Sequence, residues 1–233
     1  MNNFAVLQAL AFEPRRAFAE LDARPRFWWP LLLVAVASAI LSGWYAAVVD
    51  LEWLTDVQLR GSSFTQNMTE AEIERMSRAA AGRRGTQVVI GSLGTGLFVG
   101  VIVLLSALYY SLAGKITGVE RSFRHWMALS AWTSIPTLLA LLAAVFVLLT
   151  ASSNQIPQEA LQPLSLNALV FQRAPDEPGY TLFNSINLLQ FVSLYLAALG
   201  VKLWSGRSWL FGILFTALPL VIVFGIWAIF SLR

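Results

Sequence analysis

The sequence predicts an all-α polytopic membrane protein, a bundle of five transmembrane helices with a tandem helical-hairpin repeat. Composition comes first: hydrophobic residues make up 57% of the 233 positions and charged residues 12%, about half the roughly 25% charged content of a typical soluble domain. The charges are also segregated, which leaves uncharged stretches at 27–49, 85–114, 126–158, 178–201 and 208–232. Each reaches the roughly 20 residues a helix needs to cross a bilayer. Aromatic residues then mark the ends of these stretches, among them Trp28, Trp29, Trp44, Tyr45, Tyr109, Tyr110, Trp126, Tyr180, Trp204 and Trp209, where amphipathic rings settle at the headgroup level.

Residues 1–26 form the first element. They are apolar around Phe4, Leu7 and Leu10 and restart at Pro14 with Phe18 and Leu21 on a charged background, the pattern of an amphipathic segment lying along the cytoplasmic interface. No basic residue precedes Arg15, so the opening apolar run lacks the positive region of a secretory signal and is expected to be retained. The five-helix domain occupies 27–233, with spans at about 27–49, 86–114, 126–150, 180–203 and 209–231. Of its two long loops, 50–85 carries Thr69-Glu70-Ala71-Glu72, a capping-box spacing, with Ile73, Met76 and Ala80 on one face and Gly82 as a stop; this predicts a short amphipathic helix. The loop 151–179, with Pro157, Pro163, Pro175 and the turn Asp176-Glu177-Pro178-Gly179, is expected to be irregular.

Orientation follows from the basic residues. With the N terminus in the cytoplasm, the inner segments carry nine of the 16 lysines and arginines, and the short connections 114–125 and 202–207 are both basic. The positive-inside rule therefore places the N terminus inside and the C terminus outside. The net charge of +3 reports this topology and contact with anionic lipid, not a nucleic-acid footprint. Arginine outnumbers lysine 14 to 2, which with the alanine richness points to a GC-rich bacterial genome.

Within the spans, Ala35, Ala39, Gly43 and Ala47 recur at four-residue spacing, as do Ser92, Gly96 and Gly100. Small stripes let helix backbones approach closely in lipid, and these predict tight packing of the first two spans. The pattern Ser122-x-Arg124-x-Trp126 followed by Thr133 and Pro136 recurs 83 residues later as Ser205-x-Arg207-x-Trp209 followed by Thr216 and Pro219. It suggests a parallel repeat of two hairpins with matching proline kinks. Each proline frees the carbonyl four residues back, on Trp132 and Phe215, beside a threonine hydroxyl able to bond local backbone. In the fourth span, Asn184, Asn187 and Gln190 at three-residue spacing share one face of a continuous helix, with Gln190 about 13 Å deep at 1.5 Å per residue. Such a face turns into the bundle, either to pair with other helices or to line a polar path.

Several chemistries lack their residues. No charged residue lies in the core of a span, which argues against a proton relay or voltage sensor. His125, the sole histidine, stands at a membrane border and reads as an anchor. The sequence around Ser92 is G-S-L-G, not the G-x-S-G of intramembrane serine proteases, and no glycine pair precedes an aspartate. The glycines at 91, 94, 96 and 100 lie inside a span with no lysine at phosphate-loop spacing. There is no cysteine, hence no disulfide or thiolate metal site. No catalytic residue, metal ligand or cofactor follows from the sequence.

Three stretches, LQALAFEPRRAFAELDARPRFWWPLLL from residue 7, LAGKITGVERSFRHWMALSAWTSIPTLL from residue 112 and INLLQFVSLYLAALGVKLWSG from residue 186, resemble the Yip (Ypt/Rab-interacting protein) domain membrane proteins in their short bacterial form. The family's Gly-Gly after the second span is here Ala113-Gly114. The resemblance implies five transmembrane helices, a cytoplasmic N terminus and, in a bacterium, the inner membrane. Eukaryotic relatives act in vesicle traffic through a long cytosolic N-terminal region that engages Rab GTPases. That region has no counterpart here, so no Rab interaction is inferred. The expected partners are the lipid bilayer and other membrane proteins, or a second copy of the chain. The expected role is non-enzymatic, binding or organising membrane components. Its rivals are a small transporter or channel for a neutral or polar solute using the amide face, and a lipid- or envelope-stress-sensing module.

Overall fold

A computed structural model describes every residue except 63, 64, 66 and 233, which fall in the expected loop 50–85 and at the end of the last span. The chain opens with α1 (Asn3–Phe12) and α2 (Pro14–Ala23), then crosses the bundle as α3 (Trp28–Val48). Helices α4 (Leu51–Arg60) and α5 (Glu70–Gly82) form a hairpin at the far end, and α6 (Arg84–Thr117) returns. The third crossing is divided into α7 (Phe123–Thr133) and α8 (Thr137–Thr150); short helix α9 (Tyr180–Ser185) precedes α10 (Leu188–Ser205) and α11 (Trp209–Ser231). Five segments, α3, α6, α7 with α8, α10 and α11, are long and apolar enough to cross a membrane, as the composition predicts. Among the described residues no β-strand forms.

One end of the bundle is basic. Gly118 and Gly206 close α6 and α10 at φ 72° and 68°, the left-handed cap that an L side chain adopts only with strain. Pro14 opens α2 in the first helical turn, where a missing N–H costs nothing. The segment 1–26 does not merely lie along a surface. Val6, Ala17, Phe18 and Leu21 have no exposed area, because the hairpin sets its apolar faces beneath α7 and α10. Polar bonds pin it there: Arg121 donates to Asp22 through Nε at 2.6 Å and Nη2 at 3.1 Å, Trp204 Nε1 donates to the Phe18 carbonyl at 3.0 Å, and Trp132 Nε1 donates to that of Arg26 at 2.8 Å. His125 sits 3.0 Å from the Asp22 carbonyl and edge-on to Trp204. The Glu20 carboxylate, bonded to the Met1 ammonium and to Arg26, is held below its usual range chiefly by the ammonium hydrogen bond, against an opposing desolvation and with smaller help from the nearby positive charges.

The core built on this end is aromatic. Trp126, Trp132, Phe18, Leu129 and Leu199 are all within 1% of full burial, and Trp126 stacks on Phe215 at 5.7 Å. Several rings expected as headgroup anchors therefore serve as core instead, since Tyr45, Tyr110, Trp126 and Trp204 are buried while Trp28 stays 64% exposed. At the opposite end a second core joins Leu41, Tyr45, Val49, Leu51, Ala144, Leu148 and Ile156. There Tyr45 donates to the Ile156 carbonyl at 2.8 Å.

The most extensive helix seam is α3 against α6. A Cβ built on Gly96 would stand 3.5 Å from the Ala35 carbonyl and from the Ala39 Cβ, and one on Gly43 would run into the Ser92 hydroxyl. The two small-residue stripes thus meet over Ala35, Ala39, Gly43, Ser92 and Gly96. Gly100 faces open space, outside the contact, because crossing helices diverge away from their closest approach. Arg84 closes the far end of the seam, donating to the carbonyls of Ala46, Ala47 and Val49 at 3.1, 2.9 and 2.8 Å.

In the hairpin, Thr69 and Glu72 form the capping box that the spacing predicts, and Gly82 ends α5. Helix α4 was not expected. Its signal is Asp50, whose carboxylate accepts from Trp53 N at 3.1 Å, an N-cap hidden by the apolar residues around it.

The two proline sites differ. At Pro136 the third span breaks over residues 134–136, whereas α11 runs on through Pro219. Thr133 and Thr216 make the same local bonds, to the carbonyls of Leu129 and Gly212 at 2.8 and 2.9 Å. They do not reach the carbonyls that the prolines free. That of Phe215 accepts instead from the Tyr109 hydroxyl on α6 at 2.9 Å; that of Trp132 accepts from Ile135 N at 3.3 Å. The remainder of the repeat is not matched in space: Trp126 is core while Trp209 is 36% exposed, and Ser122 precedes its helix whereas Ser205 ends one.

Candidate binding cavity between the two cores

The fourth crossing overturns the expected amide face. Residues 180–203 are not one helix, because the chain turns extended at Ile186 and Asn187 between α9 and α10. Asn184, Asn187 and Gln190 therefore share no helical face. Gln190 lies within the first turn of α10, near the end of the span rather than at mid-depth. The physical reason is that each amide satisfies backbone. Asn187 Oδ1 accepts from Leu189 N at 2.9 Å and caps α10, while Gln190 accepts from Asn187 N at 3.4 Å and donates to the Ser185 carbonyl at 3.2 Å. Asn184 is buried away from them, donating to the Tyr180 carbonyl at 3.0 Å and accepting from Ser165 Oγ at 3.3 Å. Capping-box spacing, N-x-x-Q, was present in the sequence and competes directly with a helical-face reading of the same residues.

Proline-rich loop 151–179 supports this break. Leu166 N donates to the Ile186 carbonyl at 2.8 Å and Leu188 N to that of Leu164 at 2.9 Å, so the loop folds back and pairs with the extended residues. Burial and the neighbouring Glu159 carboxylate raise the Tyr180 phenol above its ordinary value.

The loop end so formed roofs a cavity of about 370 Å³. Its floor is set by Ser38 on α3, Thr95 on α6 and Thr137 on α8; its rim by Gln158, Gln162 and Gln190. Each depends on local structure already described. The break at Pro136 makes Thr137 the first residue of α8, and the tight α3–α6 seam brings Thr95 Oγ1 to 3.1 Å from Ser42 Oγ. Asn187 also lines the cavity, beside apolar Leu41, Ala144 and Leu189. Two of the three amides thus reach one cavity, by capping a helix rather than by helical periodicity. Ser38, Thr95, Thr137 and the two loop glutamines escaped sequence reading because they come from four distant segments. Among the described residues that line it, none carries a charge. Among the described residues no three histidine, aspartate or glutamate side chains converge to hold a metal.

The cavity can offer hydrogen bonds without general acid–base groups. Ser38 is 6% exposed, and its hydroxyl, in the cavity lining, bonds to none of the described residues. On α3 at 1.5 Å per residue it lies about 15 Å from either end, at mid-depth.

The Yip1 domain profile matches residues 7–230, nearly the whole chain. Among curated proteins, a membrane protein of Bacillus subtilis (strain 168), YknW, is 26% identical over 220 residues, covering 94% of this chain and 85% of its own. No solved structure matches. With five candidate spans and a profile match that takes in the N-terminal hairpin, the seam, the divided third crossing and the capped fourth, the chain belongs to the Yip1 domain family.

Proposed function

We propose that the protein is a non-enzymatic membrane component that binds and organises other constituents of the bilayer, held in a bacterial inner membrane with its basic end and N terminus in the cytoplasm. One observation carries this reading: the polar cavity has no continuation toward the basic end. Below Ser38 and Thr137 every residue of α7 from Trp126 to Thr133 is buried, as is α10 from Leu196 to Val201, and the α1–α2 hairpin seals the bottom. A packed aromatic half does not conduct a solute, whereas a blind cavity retains one. The uncharged lining is the feature that favours the rival, a transporter of neutral solutes.

The test is flux. Full-length protein in liposomes is expected to pass radiolabelled glycerol no faster than empty liposomes, with Asn187→Leu and Gln190→Leu unchanged. Protein-dependent flux lost in those variants, with helix content intact, would replace the reading by transport. Sidedness is tested by cysteines introduced at Glu52 and Glu120, which should label from the periplasmic and cytoplasmic sides respectively. Labelling from one side would reject the orientation.

A further inference from the structure

The cavity is blind, and one of its sides is thinly walled. Helices α6 and α11 meet near Tyr109 and Phe215, on the side of the basic end. Toward the loop end α6 packs chiefly on α3, its contacts with α10 and α8 being sparse among the described residues, and its side chains Val89, Ile90, Leu93 and Leu97 are exposed. Yet Thr95 of α6 and Gln190 of α10 both line the cavity. The wall between these residues is therefore thin, and it is the side of the cavity nearest hydrocarbon. Gln190 itself is exposed, which places an amide at the edge of that wall.

Three properties define what fits. A cavity needs roughly 10–15 Å³ to hold one water, so about 370 Å³ admits a group the size of glycerol with its ester carbonyls. The lining supplies donors and acceptors without a cation. A phosphate there would lose its hydration with no charge to replace it, a cost that buried ions escape only when paired. Arg84, the basic group at this end of the seam, is already engaged by three carbonyls of α3. The unpartnered Ser38 hydroxyl, the Thr137 hydroxyl at the α8 start and the rim amides of Gln158 and Gln162 match an uncharged, hydroxyl-bearing head. The thin lateral wall matches chains that remain in the bilayer.

We propose that this cavity is a lateral lipid site for one uncharged, hydroxyl-headed amphiphile of the diacylglycerol class, its head on Ser38 and Thr137 and its acyl chains leaving between α6 and α10. The inference rests on the reading of a cavity that binds and does not conduct.

Full-length protein in nanodiscs, doped with diacylglycerol carrying a diazirine on one acyl chain, is irradiated and mapped by mass spectrometry. Adducts are expected on the peptides containing Leu41 and Leu189, displaced by unlabelled diacylglycerol but not by phosphatidylglycerol. Ser38→Val and Thr137→Val should each lower labelling about fivefold, the worth of one hydrogen bond of about 1 kcal/mol. Gln162→Leu at the rim serves as a second probe should the deeper variants fail to fold. Equal labelling by a diazirine phosphatidylglycerol, competed alike, overturns the uncharged-head assignment. Adducts confined to lipid-facing Leu97 and Phe98 without competition overturn the site while leaving the binding reading in place. Glycerol flux in the liposome assay would instead remove that reading, and this inference with it.

Discussion

At the scale of single residues, glycines decide where backbones meet, and their neighbours decide what a methyl group costs. A Cβ on Gly212 would be driven into the backbone carbonyl of Ala198 on α10, which cannot rotate aside. Gly212→Ala should therefore lower stability by about 1–3 kcal/mol, as overpacking does, seen as a fall in the midpoint of thermal unfolding in detergent. Gly43→Ala clashes with the Ser92 hydroxyl and makes ordinary contacts with Ser92 Cβ and Val88; the hydroxyl can turn to another rotamer, so the midpoint should change little, and an equal loss would mean that the contact is rigid. Sequence periodicity singled out Gly43, Gly96 and Gly100 but not Gly212. A lone glycine carries no stripe, and its closeness to Ala198 depends on how α10 and α11 cross. Arg84 shows a second mechanism, a guanidinium on the last carbonyls of α3, where it also complements the helix dipole. Arg84→Gln should cost about 1–2 kcal/mol, the range of partly exposed charge-assisted bonds.

At the scale of elements, Pro219 and Tyr109 act as a pair across two helices. The proline removes the N–H that would bond Phe215, and the Tyr109 phenol replaces it. Tyr109→Phe should cost about 1 kcal/mol, and less in a Pro219→Ala background where the backbone donor is restored. Additive losses in that double-mutant cycle would show that the hydroxyl serves another purpose. The N-terminal cap of α5 carries a pH dependence. The Glu72 carboxylate is held below its ordinary value by the Thr69 backbone N–H and then by its hydroxyl, so its contribution is present above the unfolded carboxylate pKa and is lost as pH falls through the lowered value. Amide exchange at the start of α5 should quicken as pH drops through that window, after correction for intrinsic rates, and Glu72→Gln should abolish the pH step while retaining a weaker cap. This helix was legible in the sequence because Thr69, Glu72 and Gly82 are local signals. The division of the fourth crossing was less so, since N-x-x-Q spacing satisfies a helical face and a capping box equally. The loop residues that pair with Ile186 and Leu188 lie 20 and 24 positions away.

At the scale of the whole molecule, the bundle is asymmetric along the membrane normal: packed and aromatic at the basic end, open and hydroxyl-lined at the loop end. The asymmetry follows from the N-terminal hairpin, which fills the space under α7 and α10 that lipid or water would otherwise occupy. Asp22→Ala removes the partner of Arg121 and should loosen the hairpin. The expected sign is faster protease cleavage between α2 and α3 with the five spans still helical by circular dichroism. Unchanged cleavage would mean that burial of Phe18 and Leu21 suffices without the ion pair.

The amino-acid sequence by itself determined the all-helical class, the five spans and the small-residue seam. These follow from the transfer of apolar side chains and from hydrogen bonds closed within each helix, both of which are local quantities. Only the tertiary structure decided that the interfacial segment is part of the core, that the amides cap a broken helix, and that Ser38, Thr95, Thr137 and Gln162 share one cavity. Each of those depends on which distant backbone groups a side chain must satisfy, and that is settled by how the helices cross.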